Sequence, residues 1–544
     1  MSDDKIQGPK GVEYSTLTAS EKEGVQRALK RGATRRETMQ MMVAAGMTAA
    51  AAGSIVTAAS EALAATPKKG GKLRVGTALH GPDDTLDPIR LTSETDYGRA
   101  RAHYNSLVQL SDDIVPQPEL AESFEANKDA SEWTFSLRKD VKFHDGSKFT
   151  ADDVVWSLSR HLGKDSKSVG KGLMTTVKEW KKTGPYEVKA ICEAPYADLP
   201  AVLGEKHFKI AKADTKDFAA APGTGPFKLD SFRPGVGSRH VRNDDYWREG
   251  ANVDEIELFG ITDEVARVNA LIAGDVQLIN VVPPKSMSQV ENAPGVTARS
   301  IPSGSYMGIC LHTKHGEGNN ADFVNAMKYI MRRDRIVKNI LRGHGTVGND
   351  HPINVAYGVD FCDALPQREF DPDKAKALFK KSGLSGAEVQ VAEVAGGVTD
   401  TMLLVQRECQ KIGFNLQIKK VPTDGYWGAV WQKTAMNVTA WNMRPTATIM
   451  LDLSYAPGAP WSDTAWENEE MGVLLAKAKA ETDPKIKHEI LCKMQKIVAE
   501  KAPVVIPSHR NIVDGISDKV KGVPKLSLGG LGASEWPEFV WFDG

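Results

Sequence analysis

Trp133-Thr134-Phe135-Ser136-Leu137-Arg138, Phe143-His144-Asp145-Gly146 and Thr150-Ala151-Asp152-Asp153-Val154 lie in one stretch of 22 residues. Apolar and polar residues alternate in the first segment, the period of a half-buried strand. Asp145-Gly146 then supplies a turn, because glycine accepts backbone conformations that other residues resist. Thr150 can cap a following helix, with Asp153 three residues on and both acids near its positive end. Val154, Val155 and Leu158 give that helix its apolar face.

The same alternation of periods continues on both sides. Lys72–Thr77 and Glu187–Cys192 read as strands, and Gly223-Thr224-Gly225-Pro226-Phe227 as a tight turn into another. Tyr306–Leu311 reads as a strand, and Asn325–Leu341 as a helix closed by Gly343. Asp371-Pro372 opens a helix with Asp as cap and Pro at its first position, and Gly383 ends it. A helix over Met402–Ile412 leads into a strand over Asn415–Val421, and Met471–Glu481 and Lys485–Glu500 read as the last long helices. Strands and helices intermix, so the expected class is α/β with mixed sheets.

The first 64 residues predict export. Arg35-Arg36 precedes a weakly apolar run from Met41 to about Ala59, and Ala62-Leu63-Ala64 offers a small-residue cleavage site. That order is the pattern of a signal peptide, and the paired arginines point to the twin-arginine route. Cleavage after Ala64 leaves 480 of the 544 residues, too many for a single core. The formal charge is −1, which gives no electrostatic reason to expect nucleic acid as a partner. The five cysteines (Cys192, Cys310, Cys362, Cys409, Cys492) are widely spaced, without a C-x-x-C, and their odd number leaves at least one unpaired within the chain. Most are expected to be small buried hydrophobes.

The ordered blocks identify a resemblance. Gly70-Gly71-Lys72-Leu73-Arg74-Val75-Gly76, Leu86-Asp87-Pro88, Pro118–Phe124, the Trp133–Leu158 stretch, Gly223–Phe227, Asn243-Asp244-Asp245-Tyr246-Trp247, Ala273-Gly274-Asp275, Arg333-Asp334-Arg335 and the Asp371–Gly383 helix follow one another across almost the whole chain after the signal. In that order they resemble the peptide- and nickel-binding class of bacterial solute-binding proteins that serve ABC importers. The resemblance implies a bilobed periplasmic-binding-protein fold that closes about a hinge on its ligand. It implies a first lobe over 65–106, 197–302 and 506–544, an extra subdomain over 107–196 and a second lobe over 303–505. It further implies a periplasmic, monomeric binding protein, no cofactor, and a peptide or small organic ligand handed to membrane permease subunits.

Candidate ligand contacts follow from residue chemistry and this resemblance together. Trp427, Trp431, Trp441, Trp461 and Trp466, with Tyr426 and Tyr455, concentrate aromatic area that suits a ligand cleft and equally suits a core. Peptide-binding relatives carry an Asp for the peptide ammonium three residues after a Trp equivalent to Trp441. Here Arg444 stands at that spacing, which favours a carboxylate such as that of a modified amino acid, an opine-like conjugate or a carboxylated peptide. A surface ion pair is the alternative role for Arg444. Tyr306, at the lobe crossover, and Thr95, in the loop after Leu86-Asp87-Pro88, complete a set with Trp441, Arg444, Tyr426, Trp427 and Trp461.

His312, His315, His344 and His351 are read as solvated or loop histidines, although His312-x-x-His315 has metal-ligand spacing and capture of a nickel chelate is the runner-up function. No G-x-S-x-G, H-E-x-x-H or phosphate-binding glycine loop occurs. An exported hydrolase is the remaining rival, and no catalytic residue is assigned.

Overall fold

The computed structural model describes Met42 and residues 67–423, 425–459 and 461–543. The paired arginines and the cleavage site lie outside the described residues. The chain from Lys69 onward forms one compact unit.

Two long strands organise it. Val296–Leu311 and Val504–Ser517 run antiparallel along almost their full length. Residues 296–301 pair with 512–517, beside a strand at Leu278–Ile279 and a parallel strand at Lys72–Thr77. Residues 305–311 pair with 504–510 and, on their other edge, with Met436–Trp441. The register shifts between Ile301 and Ser305, so the ladder is interrupted where one half of the sheet gives way to the other. A bulge of this kind bends a strand and increases its local twist. Beyond this pair the sheet extends one way through Gly386–Val391 to Asn415–Lys420. The other way it passes through Glu255–Gly260 and Gly237–Arg242 to Phe227–Arg233. Parallel and antiparallel neighbours both occur, giving the mixed α/β sheet expected, in a two-lobed arrangement.

The opening stretch forms its own small layer. Ala121–Ala126, Glu132–Leu137, Glu187–Cys192 and Val177–Gly184 make a four-stranded antiparallel sheet. The helix Ala151–Ser159 packs on it, with the Thr150 N–H donating to the Asp153 carboxylate at 2.8 Å. Phe135, Leu137, Val154 and Leu158 are wholly buried there. The His144 turn is tied to the Gly223–Pro226 turn, since the His144 N–H donates to the Gly223 carbonyl at 2.8 Å. A Cβ on Gly223 would lie 1.8 Å from the His103 carbonyl oxygen, so only glycine fits that crossing.

The Asp371 cap and left-handed Gly383 bound the helix Pro372–Ser382 as expected. The helix expected over Asn325–Leu341 is different. It begins earlier, at Ala321, where the Asn320 side chain accepts the Phe323 N–H, and it stops at Tyr329. Arg332 is non-helical, and the chain resumes as a short turn over Arg333–Arg335 and a π-helical turn over Ile336–Ile340. Arg333 is buried and holds both oxygens of buried Asp350, at 2.9 and 2.8 Å. That ion pair fixes the chain where apolar periodicity alone would have continued the helix.

Cys362 and Cys492 form a disulfide that ties the loop after Val355–Asp360 to the long helix Pro484–Lys501. Cys192, Cys310 and Cys409 are free and buried, as expected of small hydrophobes. Removing the bridge by Cys362→Ser/Cys492→Ser is expected to lower unfolding stability by about 2–5 kcal/mol. Urea titration of the two proteins checks this, and coincident unfolding curves would show that the bridge closes a loop the fold already holds.

Candidate ligand-binding cleft

A cavity of about 220 Å³ draws its lining from both halves of the large sheet. From one side come Glu94 and Glu264, in the first turns of the helices Glu94–His103 and Glu264–Ile272, together with Lys206 and the segment Val281–Pro284. From the other come Ser305, Leu341, His344, Gly396 and Asn442. Arg510-Asn511-Ile512-Val513 crosses between the halves and forms part of the wall. Apolar Met287, Leu341, Ile512 and Leu528 surround a few charged groups, the composition expected of a pocket for a small organic molecule.

Part of this wall is strained. Val281 has φ 54°, and Leu531, Gly532, Ala533 and Ser534 follow one another at positive φ beside cavity-lining Gly529-Gly530. Such left-handed backbone costs of order 1–3 kcal/mol at each non-glycine residue and collects at ligand-binding sites. Buried Asp514 supports the turn by accepting the Leu531 N–H at 2.8 Å. Burial pushes the Asp514 carboxyl up to about 7, against the pull of Arg299, 3.6 Å away.

Four of the seven residues selected from sequence stand together. Tyr306 and Trp441 are buried and face one another, nearly parallel, with ring centroids 6.5 Å apart. Trp461 lies 5.9 Å from Trp441, and the Arg444 guanidinium stands 5.6 Å over the Trp461 ring. Trp461 is 38% exposed, whereas Trp441 is 5% exposed. Arg444 makes no ion pair among the described residues, and its Nε is sealed from solvent without a hydrogen bond. Burial pushes the Tyr97 phenol up, and the charge of Arg444 opposes that shift only slightly. Arg444 is absent from the cavity lining, to which its neighbour Asn442 contributes.

The other three are dispersed. Tyr426 is buried, and its hydroxyl donates to the Val438 carbonyl at 2.7 Å. Trp427 beside it is 46% exposed. Thr95 is buried, and its hydroxyl binds the Leu79 carbonyl and the Thr77 hydroxyl.

The aromatic cluster is organised by a residue that sequence gave no reason to single out. The indole N–H groups of Trp431 and Trp441 donate to the two carboxylate oxygens of buried Asp463, at 2.6 and 2.8 Å. Trp441 is therefore held at its polar edge from within the lobe. Burial pushes the Asp463 carboxyl up to about 6, opposed by those indoles and the Thr439 hydroxyl.

All four histidines lie in loops, as expected, though two of them are not solvated. His312 is buried, not solvated, and its Nδ1 accepts the N–H groups of Lys314 and His315 at 3.1 and 3.2 Å. His351 is also buried, beside Phe361, and burial lowers it to about 4. His315 is exposed, and half-buried His344 lies 3.5 Å from Glu291. Among the described residues no three His, Cys, Asp or Glu side chains are grouped closely enough to hold a metal ion. No described helix is long and apolar enough to cross a membrane.

Residues 115–459 match the family model for the middle region of bacterial extracellular solute-binding proteins, family 5. The chain belongs to this family. The dipeptide-binding protein of Escherichia coli K12 is 24% identical over 531 residues, 85% of this chain and 97% of that protein. Among solved structures, the periplasmic binding protein AgaA from A. tumefaciens R10, in complex with agropinic acid, superposes with a TM-score of 0.73. It is 24% identical and covers 87% of this chain and 99% of its own. NikZ from Campylobacter jejuni, in complex with Ni(L-His), gives 0.72 at 18% identity, covering 86% and 98%. The Escherichia coli relative and AgaA are binding proteins by name, and this chain shares the fold of AgaA and NikZ.

The Asp463 carboxyl has a measurable consequence. A buried acid raised above its ordinary pKa adds stability below about pH 4, and that contribution is lost as pH rises through about 6. The indole N–H resonances of Trp431 and Trp441 should titrate together with a midpoint near pH 6. Resonances that stay fixed from pH 5 to 7 would show that Asp463 does not change charge there.

Proposed function

We propose that this chain is the exported, solute-capturing component of an ABC import system. It binds a peptide or small acidic amino-acid-derived ligand between its lobes and delivers it, chemically unchanged, to permease subunits. The observation that carries this reading is the cavity built from both sides of the strand crossover, in a member of a solute-binding family. Ligand contacts available only when the lobes approach would stabilise the closed form, and closure is what the permease would read. The lobes are taken as 65–106, 197–302 and 506–544 on one side and 303–505 on the other, with the subdomain at 107–196.

The first 64 residues would direct export by the twin-arginine route, with cleavage near Ala64, and the mature protein would act as a periplasmic monomer. The Cys362–Cys492 bridge supports an oxidising compartment. Arg444 and Trp461 form a polar and aromatic contact at the cleft, with Trp441 and Tyr306 behind them. Tyr426, Trp427 and Thr95 would act through the walls that hold these groups. AgaA, of the same fold, was solved with agropinic acid, which supports an acidic ligand. A metal chelate is the second reading, favoured by His344 in the cavity wall and by the Ni(L-His) complex of NikZ.

Native mass spectrometry of protein purified from its own periplasm tests the proposal. The expected spectrum shows a chain beginning near Ala65 with one small organic solute at a 1:1 ratio and no metal. Stoichiometric nickel would favour the chelate, and conversion of the released solute on incubation with fresh protein would contradict a pure binding role. Arg444→Ala is expected to weaken solute binding by ~2–5 kcal/mol, because one side of a charged pair is removed. Unchanged affinity in calorimetry would remove Arg444 from the site while leaving the cavity reading intact.

A further inference from the structure

Arginines shut away from solvent normally have a partner, and several in this protein do. Arg99 holds Asp96 at 2.7 Å, Arg333 holds Asp350 at 2.8 Å, and Arg267 donates to the Ile261 carbonyl at 2.7 Å. Arg101 is surrounded by Glu119, Glu535 and Glu538. Arg510 is the exception inside the cavity. Its side chain lines the wall, its Nε is sealed from solvent without a hydrogen bond, and it forms no ion pair among the described residues.

The backbone of Arg510 is held firmly. It pairs with Ser305 on one side and with Gly345 on the other, at the crossover of the two long strands. The carboxylate whose charge reaches Arg510 is that of Glu393. Glu393 is already committed: its oxygens accept the N–H groups of Gly397, Val398 and Thr399 at the start of the helix Val398–Lys411. Burial lowers the Arg510 guanidinium to about 10, so it stays charged at neutral pH. Arg510 is half-buried, with only its Nε sealed off, so its remaining guanidinium nitrogens are free for a partner, and a planar guanidinium is best satisfied by a carboxylate or phosphate held through two parallel hydrogen bonds.

We propose that Arg510 is the clamp for the anionic group of the captured solute, a carboxylate or phosphate, seated in the cavity at the strand crossover. This rests on the solute-binding reading above and makes it specific. Lys206 in the same lining adds positive charge, whereas Glu94 and Glu264 suit an ammonium. The solute class is therefore an organic acid or a zwitterion, with an apolar portion against Met287, Ile512 and Leu528.

The test uses the mature chain, freed of bound solute by unfolding and refolding, with Arg510→Gln and Arg510→Lys prepared in parallel. Melting and calorimetry would be run with di- and tripeptides carrying free C-termini, the same peptides as C-terminal amides, simple mono- and dicarboxylates, inorganic phosphate and neutral hexoses. Free carboxylates or phosphate should raise the wild-type melting temperature while amides and hexoses do not, and whichever of the two anions acts identifies the source. Arg510→Gln should weaken that binding at least ten-fold, and Arg510→Lys should fall between the two. The empty Arg510→Gln protein should melt no lower than the empty wild type, because an unpaired charge has been removed.

Three outcomes would overturn the assignment: equal binding of amides and free acids, an Arg510→Gln affinity equal to wild type, or no response to any anion. Binding of amides or hexoses alone would overturn it while leaving the solute-binding function in place.

Discussion

The antiparallel pairing of Val296–Leu311 with Val504–Ser517 is the constraint on which the rest depends. Each strand contributes one end to either half of the large sheet, so both halves share a covalent and hydrogen-bonded spine. The interruption between Ile301 and Ser305 locates the change of direction, and a Cβ on Gly304 would meet the Tyr357 ring at 2.3 Å. Helices can then pack on each half independently, and their first turns and connecting loops face the gap beside the spine. The cavity lies beside that spine, with Ser305 and Arg510–Val513 in its wall.

Buried charge divides the molecule into settled and unsettled parts. Arg101, Arg248, Glu119 and Glu538 form a mutually satisfied network that joins the C-terminal segment to the first helix and its neighbours. Asp350 is shared between Arg333 and Arg368. Around the cleft, by contrast, Arg444 and Arg510 lack carboxylate partners among the described residues, and the backbone over 531–534 is strained. Open charge and backbone strain thus coincide at the cleft, at some cost in stability.

Much of the fold was legible in the sequence because it is written in short periods. The strand–turn–helix stretch from Trp133 to Leu158, the strand Lys72–Thr77 and the Asp371-to-Gly383 helix need only local alternation and capping chemistry. The helix expected to Leu341 failed because Arg333 is pinned by Asp350, a contact between segments that no local period encodes. The same holds for the cleft. Clustering in sequence brought Trp441, Trp461 and Arg444 into view, yet Asp463 and Asp514 become significant only once folding surrounds them. Arg510 did leave a trace: His509-Arg510-Asn511 interrupts the otherwise apolar runs Val504-Val505-Ile506 and Ile512-Val513 in a central strand. The His312-x-x-His315 spacing serves the backbone, since buried His312 caps its own loop.

The central claim is capture by closure about the strand crossover. Small-angle X-ray scattering of the mature protein, measured with its co-purified solute and again after that solute has been removed by unfolding and refolding, tests it most directly. The account predicts a larger radius of gyration for the emptied protein and recovery of the compact value when the released solute is returned. Superimposable scattering curves from the loaded and emptied protein would contradict it.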